Sequence, residues 1–227
     1  TPKPSSAASD VYKRQTLQLA LSGFVAALIL AVALAFLSNQ VGFGWLRSAL
    51  QTLPSLFVSV PVFWLGIMLI QVFSFRLGWI PVINPGRWEG MVLPTLTLAV
   101  PISAPLAQIL IRNIDAVLAQ PFVAVARAKG ASRRGVLWRH VARNAVLPTL
   151  TIAGILFGEL LAGAVVTEAV FGINGLGSLT QQAVGNQDTA VLQAIVVISA
   201  TSFVLINLIV DLLYPVLDPR LRTRLES

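Results

Sequence analysis

Residues able to do chemistry are few in this chain, and one stretch holds most of them. From Ala126 to Pro148 it reads ARAKGASRRGVLWRHVARNAVLP, with Arg127, Lys129, Arg133, Arg134, Arg139 and Arg143, the single histidine His140, and no acid. Elsewhere the candidates are isolated. Glu159 is the one acid well inside an apolar run, where a carboxylate costs several kcal/mol unless it is paired or hydrated. It therefore reads either as a residue lining a translocation path or as a hydrogen-bond partner between helices. Glu168 lies nearer the end of that run and reads as a structural link to the following turn. Gly154, Gly158 and Ala162 recur at four-residue spacing, a smooth face that lets a second helix approach closely. Asn207, Asp211 and Tyr214 share a face of the last apolar run, and Asp211 beside Arg220 reads as a local pair or a partner contact.

Several chemistries are excluded. There is no cysteine, and the one histidine sits among arginines, so no disulfide and no transition-metal cluster is expected. No Gly-x-x-x-x-Gly-Lys-Ser/Thr loop occurs, so ATP is not bound by a P-loop in this chain. A single intramembrane glutamate with no paired acid, base or nucleophile is a thin basis for an enzyme. No catalytic residue and no bound cofactor is expected.

The elements that must position these residues are apolar helices. The 227-residue chain is 56% hydrophobic and 11% charged, with a mean hydropathy of +0.81. Soluble domains carry about a quarter charged residues, so the class is an all-α integral membrane protein. Spans are expected at about 16–37, 53–75, 91–111, 144–166 and 190–213, each close to the ~20 residues that cross a bilayer core. The net charge of +7 resolves by side. Arg47, Arg112, the six basic loop residues, Arg220, Arg222 and Arg224 fall on one face. Lys3, Lys13, Arg14, Arg76 and Arg87 fall on the other. The positive-inside bias makes the first face cytoplasmic, and it explains the basic loop without nucleic acid. Pro61 should bend the second span. Pro94, Pro101 and Pro105 argue for an irregular or broken third span, or equally for three harmless bends in a packed helix. Trp79 and Trp88 suit an outer interfacial belt.

The order within the basic loop is more specific than topology requires. A small-residue helix (Ala124, Ala126, Ala128), a break at Gly130 and a second basic amphipathic segment resemble the cytoplasmic loop of permease subunits of bacterial ABC importers, in the dipeptide, oligopeptide and nickel branch. SVPVFWLG, RLGWIP, VLPTLTL, TEAVF…GLG and VDLLYPVLDPRLR extend the resemblance over 16–222. It departs at Pro121, Ala124 and Val125, where relatives carry charged or hydroxyl residues. The resemblance implies a polytopic bundle of the type I ABC importer kind in the bacterial inner membrane, with 112–143 as the cytoplasmic coupling loop. It also implies a homologous second permease subunit, two ATP-binding subunits and an external substrate-binding protein. It makes Ala126, Arg127, Lys129, Gly130, Ser132, Arg134, His140, Arg143 and Asn144 the residues that couple to the ATPase, with Ser132–Arg143 as the docking helix. Relatives carry one more span and an external segment at the start. Residues 1–15 are accordingly expected to be a non-native leader without packed structure, and 223–227 a cytoplasmic tail. The rival reading is a proton-coupled secondary transporter working through Glu159, which leaves the patterned loop unexplained.

Overall fold

The computed structural model describes residues 6–86, 88–137 and 142–217, and among them the regular structure is helical throughout. In chain order the helices are α1 (Ser6–Gln40), α2 (Gly44–Ser59), α3 (Val62–Leu69) continued by a π-helical stretch Ile70–Arg76, and α4 (Glu89–Leu118). Then come α5 (Pro121–Ala128), the one-turn α6 (Arg133–Val136), α7 (Ala142–Phe171), α8 (Leu176–Gly185) and α9 (Thr189–Leu217).

α4 is the post of the bundle. Leu98, Ala104, Leu106, Ala107, Leu110 and Ile114 are all essentially without solvent exposure, and α1, α2, α3 and α7 pack around them. Lipid tails are as apolar as leucine, so hiding these side chains from lipid gains little by itself. Dispersion from close packing and hydrogen bonds between helices must do most of the holding. The sequence supplies both. α1 turns Ala20, Ala27, Ala31 and Ala35 inward and leaves Leu17, Leu21, Val25 and Ile29 exposed. At Gly23 an added Cβ would lie 3.0 Å from the Cβ of Leu98. The hydroxyls of Ser22 and Thr95 join α1 to α4 at 2.9 Å, and the Asn113 amide reaches Thr149 of α7 at 3.5 Å.

The three prolines of α4 do not break it. Glu89–Leu118 is one continuous helix of 30 residues. Pro94, Pro101 and Pro105 stand seven and then four residues apart, so the missing N–H donors fall on one side of the helix. The harmless-bend reading applies. At 1.5 Å per residue α4 is about 45 Å long, well beyond the ~30 Å hydrocarbon core, so it has length to project at one or both ends of the membrane.

The second expected span departs more from expectation. It is not one gently bent helix over 53–75: α2 and the α3 stretch are bent by 104°. Pro61 is the N-cap of α3 and Val60 before it is extended (φ −92°, ψ 119°), the conformation that a following proline imposes. Both halves still pack on α4. Gly66 in α3 meets Thr97 of α4 and Val170 and Phe171 of α7, all at 3.2–3.3 Å from where a Cβ would be. Two helices, Arg14–Gln40 and Glu89–Leu118, are each long and apolar enough to cross a membrane. Counting each bent pair, in α2–α3 and within α7, as one span brings this to four, and the 29-residue α9 carries a shorter apolar stretch, Thr189–Leu205. α1 begins at Ser6, so helix runs through most of the stretch expected to be an unstructured leader. The side chains before Arg14 lie outside the described residues.

A leucine at Gly66 must push apart three elements at once, at a cost of about 1–3 kcal/mol for overpacking. Gly66→Leu is expected to lower the melting temperature of the purified protein in detergent by several degrees, whereas Gly42→Leu, where nothing lies within 4 Å, should leave it unchanged.

Candidate functional site

The basic loop hangs from the C-terminal end of α4. Gln120 is extended (φ −73°, ψ 146°) and Pro121 occupies the first turn of α5, where its missing N–H is harmless. α5 ends in a Schellman motif: the Gly130 N–H donates to the Arg127 carbonyl (2.9 Å) and the Ala131 N–H to that of Ala126 (3.1 Å). This requires the left-handed φ of +84° at Gly130. No atom of the described residues lies within 4 Å of a Cβ placed there, so among them the demand is on backbone conformation alone. Ser132 then caps α6, its Oγ accepting from the Gly135 N–H at 3.1 Å.

The two loop helices are pinned from inside. Val123 of α5, Val136 of α6 and the adjoining Leu137 join Ala35, Phe36, Leu110, Ile111, Ile114 and Val117 in one buried cluster, with Ala126 and Ala131 packed against it. What α5 turns outward is Phe122, Val125, Arg127 and Lys129, with Val125 54% exposed. The small-residue face read from Ala124, Ala126 and Ala128 therefore divides: Ala126 faces the cluster while Ala124 and Ala128 are exposed. Of the expected docking helix over 132–143, α6 covers Arg133–Val136 and α7 starts at Ala142. His140 lies outside the described residues, as do the side chains of Arg134, Arg143, Asn144, Asn207 and Asp211.

An ion pair braces the same end of the bundle. Arg47 in the first turn of α2 reaches Asp115 near the end of α4 at 3.2 Å, with both side chains about 40% exposed. Nothing in the sequence pairs residues this far apart. At such exposure the pair contributes little to stability, but it fixes the start of α2 against the loop's anchor.

At the opposite end of the bundle Glu168 is fully buried. Its carboxylate accepts the Thr16 hydroxyl at 2.5 Å and the Gly177 N–H at 2.7 Å, and Thr16 Oγ in turn accepts the Leu176 N–H at 2.8 Å. A carboxylate thus sits on the otherwise unpaired N–H groups opening α8, the favourable end of the helix dipole. The fit is tight: a Cβ at Gly175 would overlap the carboxylate, and one at Gly177 would lie 2.6 Å from Val165 Cα. The TEAVF…GLG pattern is the local trace of this lock. Thr16, from 152 residues away, is the partner that sequence reading missed.

Glu159 is exposed on α7, on the same face as Ile155 and Val166, and makes no hydrogen bond or ion pair among the described residues. Beside it Gly158 lets α9 close in: a Cβ there would lie 2.5 Å from the Phe203 ring. Gly154 is buried, and the side chain of Ala162 lies outside the described residues. The smooth face of α7 thus receives a helix of the same chain. Among the described residues there is no group of three or more His, Cys, Asp or Glu that could hold a metal ion.

The helical fold is shared with solved transporters. The fold superposes on a chain of the MetNI methionine ABC transporter in an inward-facing form with a TM-score of 0.76, covering 96% of this chain and all of that one at 18% identity. A second match, to an amino acid ABC transporter crystallised with histidines, gives 0.68 over 94% of this chain and 98% of that one at 17% identity. Residues 23–223 match the family model described as the binding-protein-dependent transport system inner membrane component. The glutathione transport system permease protein GsiC of Escherichia coli (strain K12) is 37% identical over 207 residues, which is 91% of this chain and 68% of that protein. Its counterpart in Shigella flexneri serotype 5b matches over the same shares at the same identity. The chain belongs to the family of binding-protein-dependent transport system inner membrane components. It is a membrane permease subunit of an ABC importer.

Loss of the Thr16 hydroxyl leaves a buried carboxylate short of a donor and the Leu176 N–H unpaired, a penalty of about 1–3 kcal/mol per orphaned group. Thr16→Val should therefore destabilise the purified protein as much as Glu168→Gln or more, and Thr16→Ser should restore most of the loss. Thermal unfolding of the three variants side by side checks this.

Proposed function

We propose that this permease, paired with a homologous second subunit, forms the path for a peptide-like or similar small solute delivered by an external binding protein, in a bacterial inner membrane. Two separate ATP-binding subunits drive it. The 37% identity to a glutathione permease supports the solute class, glutathione being a modified tripeptide.

The observation that carries the reading is the division of labour within α5. Its inner face is locked to α4 through Val123, while Phe122 and Val125 stand exposed beside Arg127 and Lys129. An apolar pair rimmed by cations, at the cytoplasmic end of a membrane protein, suits a groove on a soluble partner with acidic edges. We place the ATPase contact on this α5 face, with Ser132 and the described turn of α6 acting as its buttress. Movement of α5 would then be felt directly by α4, and through α4 by every helix packed on it.

Two variants separate docking from folding. Val125→Asp is expected to weaken co-purification of the ATPase subunit tenfold or more while the chain still accumulates in the membrane, because the position contributes to no buried cluster. Gly130→Val should lower transport more than it lowers ATPase binding, since a non-glycine residue at positive φ costs about 1–2 kcal/mol and shifts the α5–α6 angle. Normal co-purification with Val125→Asp would overturn the α5 assignment.

A further inference from the structure

At the cytoplasmic ends of α1, α2, α4 and α5 lies a cavity of about 560 Å³ lined by Asn39, Arg47, Asp115, Leu118, Ala119 and Arg127. Coupling to an ATPase does not account for it. Asn39 is completely buried. Its Nδ2 donates to the Ala35 carbonyl at 3.0 Å, which leaves Oδ1 buried with no hydrogen-bond partner among the described residues. A buried acceptor without a donor costs about 1–3 kcal/mol, and in a polar cavity it asks for one. The charges are also unbalanced. Asp115 holds one nitrogen of Arg47, Arg127 has no ion pair among the described residues, and two guanidinium groups therefore face one carboxylate. Phe43 and Trp45, 69% and 73% exposed, sit on the approach to α2 just before Arg47, where interfacial aromatics meet headgroups.

We propose that this cavity binds a hydroxyl-bearing phosphate monoanion, the chemistry of a glycerol-headed phospholipid of the inner leaflet. The surplus positive charge matches the single negative charge of a phosphodiester, and arginine offers paired N–H groups to phosphate oxygens. A headgroup hydroxyl supplies the donor that Asn39 Oδ1 lacks. The carbonyl ends of α1 and α4, which come close here, add further acceptors, so a bare anion fits less well than one carrying hydroxyls. Basic pockets between helices on the cytoplasmic side are places where anionic headgroups lodge. Here the pocket touches both the α2–α4 brace and Arg127 of α5, so its occupant bears on the loop's resting position. The inference rests on the cytoplasmic orientation of the loop proposed above, and it shares Arg127 with the α5 face assigned to the ATPase.

The test uses the whole transporter complex in phosphatidylcholine nanodiscs, titrated with phosphatidylglycerol, with phosphatidylethanolamine, or with soluble glycerophosphoglycerol, and read by native mass spectrometry. One phosphatidylglycerol retained per copy, weakened about tenfold by Arg127→Gln and by Asn39→Leu, is the expected result; tenfold corresponds to about 1.4 kcal/mol. Arg127 is exposed, so its replacement leaves the fold intact if Asn39→Leu fails to assemble, and the same spectra count the ATPase subunits, so that loss of lipid is scored only on complexes that keep them. Equal binding of the soluble headgroup supports the same site with a soluble occupant. Preference for phosphatidylethanolamine, retention unaltered by Arg127→Gln, or retention of no probe by the intact complex would each overturn the proposal.

Discussion

The close packing of α4 is the constraint on which the remaining structure depends. In a bilayer the apolar side chains of separate helices gain little by leaving lipid for one another, so helices hold together only where they fit closely or hydrogen-bond. α4 meets α1 across alanines and Gly23, meets α3 across Gly66, and meets α7 across Leu98, whose side chain comes within 3.4 Å of a Cβ position at Gly163. Each of these contacts is at or inside the usual limit for a Cβ. The tolerance for shifting one helix without moving another is correspondingly small. A core packed in this way transmits displacement instead of absorbing it.

That stiffness gives the two ends of the bundle their meaning. At its C-terminal end α4 leads into α5 through a two-residue connection, and the cluster around Val123, Val136 and Leu137 packs the loop against α1 and α4. At the outer end Glu168 and Thr16 tie α1, α7 and the start of α8 into one unit. Between them the 104° break at Val60–Pro61 gives the second span a joint. A helix broken at membrane depth is tolerated where it is covered by protein or borders a wet cavity, and both flanking halves remain attached to α4. The chain thus has two rigid ends and a jointed span along one central helix, a layout suited to alternating exposure of a path.

Much of this was legible in the amino acids. Hydropathy located the apolar helices, and Gly130 was readable as a helix terminator because glycine takes its backbone conformation without a steric cost. The limits are equally physical. Pro61 announced a bend, but its size depends on how α2 and α3 each settle on α4. Pro94, Pro101 and Pro105 suggested a break, yet their seven- and four-residue spacing puts all three on one side of an uninterrupted helix. The alanines of the loop drew attention away from Phe122 and Val125, whose exposure follows from Val123 and Ala126 facing the core. Thr16 with Glu168 and Arg47 with Asp115 are pairs made by the fold, and no local pattern encodes them.

The outward face of α5 is proposed to carry the energy of ATP hydrolysis into α4. The chain contains no cysteine, so a single Cys at Val125 is addressable without background. Placed in the intact complex and treated with a short heterobifunctional reagent that links a thiol to a lysine amine, Val125→Cys should cross-link to the ATPase subunit in good yield, and the yield should change between nucleotide-free and ATP-bound states. Val123→Cys, on the buried face, should not cross-link at all. A Val125 thiol that stays free in every nucleotide state would contradict the account.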